Sequence, residues 1–206
     1  MRIFFLLLSV SLMSTIAIAQ NPKQLLTPEL LWKVGRVSLD GVSPDGKFAV
    51  YGVQHFDVEK NKGARRLYLV DLQNFETKPI TDPTAGSASD AAFHPSGQRI
   101  GFVRDGKLCE VALSGGPVHT VTDFDINGFR YSPDGKHLLF TQHVKFDQAP
   151  TDLYPDLPKA TGRISDGLFY RHWKSWHEYK YSNIFFVRYQ DGKTLGSPVN
   201  IMNEPY

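Results

Sequence analysis

From residue 37 onward the chain alternates short apolar runs with tight polar turns. One turn recurs three times, as Ser43-Pro44-Asp45-Gly46-Lys47, His94-Pro95-Ser96-Gly97-Gln98 and Ser132-Pro133-Asp134-Gly135-Lys136. Proline fixes φ at the second turn position, an Asp or Ser oxygen bonds nearby backbone N–H groups, and glycine takes the positive φ that closes the turn. A strand-like segment precedes each turn (37–42, 91–93 and 129–131), and an apolar strand follows it (48–53, 100–103 and 138–141). A third and a fourth strand then complete each unit: 67–72 and 78–81, 108–113 and 118–122, 184–189 and 198–201.

The turn prolines stand 51 and 38 positions apart. A repeat of about 40–50 residues with four strands per unit is the pattern of propeller blades, and uneven spacing marks loop insertions between constant strands. The expected fold class is therefore all-β, an incomplete β-propeller of about three four-stranded blades spanning 36–82, 89–123 and 127–202, the last carrying an insertion over 144–182. Accidental hairpins in a β-sandwich are the alternative. Propellers have about four to eight blades, and Met202-Asn203-Glu204-Pro205-Tyr206 reads as a loop leading onward, so residues 20–206 are expected to be the N-terminal portion of a larger ring. Ahead of the first blade a short helix is expected, with Thr27 as N-cap, Pro28 and Glu29 in its first turn and Gly35 as its stop. Leu30, Leu31 and Val34 would share one face of it.

The first nineteen residues read differently. Arg2 is followed by an almost unbroken apolar run over 3–18, closing on Ala17-Ile18-Ala19. Small residues at those two alanine positions suit signal peptidase, with cleavage before Gln20, and the run is short for about 30 Å of hydrocarbon. The expectation is a signal peptide over 1–19 and a periplasmic or secreted product without a stable membrane anchor. The chain of 206 residues has 23 Lys and Arg against 21 Asp and Glu, and no basic run longer than Arg65-Arg66. A nucleic-acid partner is excluded on that charge pattern. Disorder is excluded by 41% hydrophobic and 13% aromatic content. Cys109 is the one cysteine, so it forms no internal disulfide, and its alternating surroundings predict a buried, inert thiol.

Chemistry-bearing motifs are few. Gly41-Val42-Ser43 begins a nucleophile elbow, but Asp45 stands where its last glycine belongs, and Ser43 belongs to a repeat turn. No phosphate-binding loop or dinucleotide fingerprint occurs, so no cofactor is expected. His172 and His177 are five residues apart and lack a third partner at zinc-type spacing, so no metal is expected either. Asp152, Asp156 and Asp166 lie among Pro and Gly and read as turn residues. The insertion is aromatic, with Phe169, Trp173 and Trp176 at helix-like spacing, as a small satellite core or the wall of a cleft requires. Glu178, beside Trp176 and Tyr179, suits a cationic amine; a solvated or ion-paired glutamate is the plainer alternative. Glu178 and Trp176 are the substrate-binding candidates, and no residue is a catalytic candidate.

The repeat turns resemble those of translocation-type (TolB-like) periplasmic propellers and of the prolyl oligopeptidase family of serine peptidases. The insertion narrows the choice. Asp152-Leu153-Tyr154-Pro155-Asp156-Leu157-Pro158-Lys159-Ala160-Thr161-Gly162-Arg163-Ile164, then Tyr170-Arg171-His172-Trp173 and Trp176, resembles the N-terminal domain of exported bacterial enzymes of the dipeptidyl peptidase 5 type. Leu26-Thr27-Pro28-Glu29-Leu30 and Glu204-Pro205-Tyr206 share that likeness. The resemblance implies a propeller that gates peptide substrates to a C-terminal α/β-hydrolase domain carrying Ser, Asp and His, outside this chain, so this part is itself non-catalytic. In related dipeptidyl peptidases acidic groups on the propeller side take the substrate amine; Glu178 is the candidate here, although no paired-Glu motif surrounds it. A non-enzymatic TolB-like propeller that binds protein partners is the other functional class.

Overall fold

Three repeats of one local geometry generate the architecture. A computed structural model describes residues 25–82, 84–164 and 178–202. Residues 1–34 and 35–206 form separate units. In the first, α1 (Pro28–Lys33) starts as expected: the Leu30 N–H donates to Thr27 Oγ1 at 3.2 Å and Pro28 occupies the first turn. It ends earlier than expected. Val34, not Gly35, is the C-cap, at φ −70° and ψ 127°, because an extended residue there ends the helix without needing a left-handed glycine. None of its residues is buried, so the expected face of Leu30, Leu31 and Val34 is not a core. No helix among the described residues is long and apolar enough to cross a membrane.

The second unit consists of three four-stranded antiparallel sheets. β1 (Arg36–Val42), β2 (Phe48–Asp57), β3 (Lys62–Asp71) and β4 (Thr77–Pro79) make the first. β5 (Ala88–Phe93), β6 (Arg99–Arg104), β7 (Lys107–Ala112) and β8 (His119–Thr120) make the second. β9 (Gly128–Tyr131), β10 (His137–Lys145), β11 (Lys180–Gln190) and β12 (Lys193–Asn200) make the third. Strand order follows the chain in every sheet, so the blades anticipated from the turns are the blades observed.

The turn supplies the same bonds each time. Gly46, Gly97 and Gly135 have φ of 71°, 72° and 68°, and each donates its N–H to the residue that opens the turn. In the first turn Ser43 Oγ donates to Asp45 Oδ1 at 2.6 Å and accepts the Phe48 N–H at 2.9 Å. Ser132, Asp134 and His137 repeat this in the third. In the second, His94 Nδ1 and Ser96 Oγ pair at 2.8 Å instead. Each turn also receives the end of its own third strand: the N–H groups of Leu72, Leu113 and Tyr189 donate to Lys47, Gln98 and Lys136 carbonyls at 2.8 Å.

The outer strands of the first two blades are shorter than the apolar pattern suggests, whereas that of the third, β12, begins five residues earlier. β4 stops at Pro79 and β8 at Thr120, because side chains replace the ladder beyond them. Thr81 Oγ1 accepts the Leu67 N–H at 3.1 Å and Thr122 Oγ1 accepts the Leu108 N–H at 3.0 Å. In the third blade Met202 Sδ takes the equivalent N–H, that of Ile184.

Parity divides each blade into two faces. Val50, Leu67 and Leu69 of the first blade pack on Ile100, Phe102, Cys109 and Val111 of the second. Val103 and Leu108, on the second blade's other face, pack on Phe129, Leu138, Phe140 and Val187 of the third. Cys109 is buried, as its alternating context implied.

Candidate functional site

The insertion is anchored at its base. β10 and β11 extend to Lys145 and Lys180, so the connection proper spans 146–179. Tyr181 Oη donates to Asp147 Oδ2 at 2.7 Å, and the Phe146 N–H donates to the Tyr179 carbonyl at 3.2 Å. A one-turn helix, α2 (Pro150–Leu153), follows. Asp152 holds its start, accepting the Ala149 N–H at 2.7 Å and pairing with Lys145. The expectation that the insertion packs down is not met in its described part: Leu153, Tyr154, Leu157 and Ile164 are all exposed. Pro150, Pro155 and Pro158 interrupt any continuous apolar face there.

Beside this base lies a cavity of about 180 Å³, bordered by Pro150, Thr161, Arg163, Glu178 and Tyr179. Glu178 is exposed at its rim. Tyr179 has φ +62°, a left-handed conformation that a bulky residue adopts at a cost of about 1–3 kcal/mol. Trp176, the second candidate, lies outside the described residues, as do residues 1–19, the aromatic cluster 169–173, His172, His177 and Asp166. Ser43 is no nucleophile candidate: it is buried, with its proton and a lone pair both engaged inside the turn. Among the described residues no three His, Cys, Asp or Glu side chains stand close enough to hold a metal ion.

Two carboxylates stitch the inner strands of neighbouring blades. Asp40 Oδ1 accepts the Ala91 N–H at 3.4 Å, and its Oδ2 pairs with Arg65 at 2.6 Å. Asp90 Oδ2 accepts the Phe129 N–H at 2.9 Å, and its Oδ1 pairs with Arg130 at 2.9 Å. A cavity of about 530 Å³ opens past this second stitch, against Asp90, Arg130, Leu139, Thr141 and Ile184.

Sequence reasoning missed Glu110. Its side chain is fully buried between the second and third blades. Tyr131 and Tyr189 both donate their hydroxyls to its Oε1 at 2.6 Å, while Arg99 and His119 stand 3.6 and 3.5 Å from its Oε2. Burial, then the adjacent carboxylate, holds the Tyr131 phenol well above its ordinary range. Burial and the bond to Glu110 likewise raise Tyr189. Burial works against the charge of Arg99, but Tyr189 and Glu110 beside it outweigh that and raise it. The sign for stability follows by linkage: an unfolded phenol loses its proton near pH 10, and these two do so only at higher pH. Their contribution is thus complete below about pH 10 and declines above it. Thermal unfolding followed by circular dichroism between pH 9 and 11 should show an alkaline loss that flattens in the Tyr131→Phe, Tyr189→Phe double variant.

The folded chain can now be set beside known proteins. No family model matches it. It is 38% identical over 192 residues to the dipeptidyl-peptidase 5 of Porphyromonas gingivalis, a match covering 90% of this chain and 28% of that protein. The Porphyromonas endodontalis protein of the same name is 33% identical over 170 residues, covering 77% of this chain and 24% of the relative. The chain is homologous to part of dipeptidyl-peptidase 5. The likeness read from residues 152–164 and 170–176 is thereby borne out, and the chain spans about a quarter of the length of these dipeptidyl-peptidase 5 relatives. Among solved structures, the Pyrococcus horikoshii acylaminoacyl peptidase superposes with a TM-score of 0.56 at 14% identity, covering 84% of this chain and 26% of that one. The AtxE2 isopeptidase reaches 0.54 at 15% identity, covering 84% and 32%. These two likenesses bear on the fold, and they agree with an incomplete β-propeller.

Proposed function

We propose that this chain is the propeller part of an exported serine-type dipeptidyl peptidase of the periplasm or exterior. Peptide substrates pass this domain to reach a hydrolase domain of the same protein, which supplies the nucleophile and releases dipeptides from free N-termini. The propeller gates that passage and is itself non-catalytic. The observation that carries the reading is the 38% identity to a dipeptidyl-peptidase 5 across nine-tenths of the chain. Export rests on the apolar run over 3–18 and on Ala17 and Ala19 before Gln20.

In this reading Glu178, at the rim of the cavity below the insertion, receives the substrate's terminal ammonium, with Trp176 two residues away in sequence. An enzyme that counts two residues from a free amine needs a fixed acceptor for that charge, and a charge-assisted bond is worth more than a neutral one. Glu178→Gln in the full-length enzyme is expected to lower kcat/KM for free-amine substrates by about ten-fold or more. Amine-blocked substrates should be unaffected. Equal losses on both substrate classes would remove Glu178 from the amine site.

A further inference from the structure

The three blades can be superposed residue by residue on their turns and registers. Val50 pairs with Leu69 in the first, Gly101 with Glu110 in the second and Leu139 with Phe186 in the third. Glu110 therefore occupies a position that is apolar in both sister blades. Its partners follow the same rule. At the first seam the cluster that holds Leu69 is flanked by Phe93, which immediately precedes a turn, and Leu113, which bonds back to one. At the second seam the equivalent residues are Tyr131 and Tyr189, and both reach Glu110. Gly101 completes the exchange: a Cβ there would stand 2.3 Å from the Tyr131 hydroxyl, whereas Val50 and Leu139 carry side chains.

The two seams of one molecule thus differ in kind. The first is apolar around Leu69, and the nearly buried ion pair there, Asp40 with Arg65, is fully bonded at 2.6 Å. The second contains a fully buried carboxylate whose Oε2 makes no hydrogen bond among the described residues. Arg99 on β6 and His119 on β8 approach it at 3.5–3.6 Å and are themselves part-exposed. Oε2 is thus held at ion-pair distance with no hydrogen bond of its own, and water entering past Arg99 and His119 would supply one. We propose that the seam between the second and third blades is the one that opens to water, with Glu110 as the group that favours opening, while the seam between the first and second stays shut.

Cysteine labelling of the intact chain reads this directly. Cys109 is buried facing the first seam, and Val103 is buried facing the second. In a Cys109→Ser background, Val103→Cys is expected to react with a thiol reagent about five-fold or more faster than native Cys109, the ratio that corresponds to the low end, about 1 kcal/mol, for a buried acceptor without its hydrogen bond. Adding Glu110→Leu, Tyr131→Phe and Tyr189→Leu, the first seam's own residues, should slow that reaction to the rate of Cys109. Amide exchange gives the ordering without any substitution. The Phe129 N–H bonds across the second seam at 2.9 Å and the Ala91 N–H across the first at 3.4 Å. Bond length alone makes Phe129 the slower of the two, and an opening second seam makes it the faster. Slower exchange at Phe129, or labelling of Val103→Cys no faster than that of Cys109, overturns the proposal.

Discussion

Gly52→Ala should destabilise the chain by about 3 kcal/mol, although it adds a single methyl group to a strand, where alanine is ordinarily tolerated. The guanidinium of Arg65 lies directly over Gly52: a Cβ there would sit 2.0 Å from Arg65 Cζ and 2.2 Å from its Nη2. Arg65 would have to move. In its present place it pairs with Asp40 at 2.6 Å and donates to Ser38 Oγ at 2.8 Å. Both side chains of the pair are nearly buried, at 13% and 10% exposure. Removing one partner from such a pair leaves an uncompensated charge, which costs far more than the pair itself contributes. Asp40 also holds the Ala91 N–H of the next blade, so the loss spreads to the first seam. The check is a double-mutant cycle on guanidinium unfolding followed by circular dichroism. In an Asp40→Asn, Arg65→Met background no charge is left to orphan and the flexible Met yields, so Gly52→Ala should cost less than about 1 kcal/mol. An equal cost in both backgrounds would mean that Arg65 and Gly52 do not meet.

The blade order was readable in the sequence because the turn is a local device. Pro44, Asp45 and Gly46 act on their own neighbours, and the same bonds recur wherever the residues recur. The apolar alternation of β6 and β7 assigned Cys109 to a core by parity alone. The stitching carboxylates were not readable. Asp40 and Asp90 sit where strand register shifts, between Leu39 and Gly41 and between Ser89 and Ala92, and Asp90 has a positive φ. An alternation rule carries no information at a bulge. Glu110 was missed for another reason. A charged residue in a strand is normally assigned to the solvent face, and only lining up the three repeats shows that this position is Leu69 and Phe186 in the sister blades. The insertion was the least legible part. Its aromatic content suggested packing; the aromatic cluster over 169–176 lies outside the described residues, and in the described part proline spacing governs residues 150–158, where Pro150 is buried and the side chains of 152–158 face solvent. Glu178 was legible as a charge beside aromatic residues; its place at a cavity rim below a left-handed tyrosine was not.

Phe102→Ala is expected to cost about 3–5 kcal/mol, the range for emptying a fully buried aromatic site. Phe102 lies on β6 with no exposed surface and packs against Val50, Leu67 and Leu69 across the first seam. A four-stranded sheet cannot collapse onto such a void without breaking ladder bonds, so relaxation recovers little of the loss. Phe140→Ala, at the equivalent position of the third blade and 2% exposed, should cost a similar amount through the second seam. Leu139→Ala is the control. It is the adjacent residue on the same strand, but opposite parity leaves it 44% exposed on the third blade's outward face. Its loss should be below about 1 kcal/mol, as for exposed positions generally. Denaturant midpoints of the three variants separate the possibilities. If Phe102→Ala proves as mild as Leu139→Ala, the first and second blades do not pack face to face. If Leu139→Ala proves as costly as Phe140→Ala, the outward face of the third blade is covered in solution, and the blade that covers it should present the same apolar side that the second blade shows to the first.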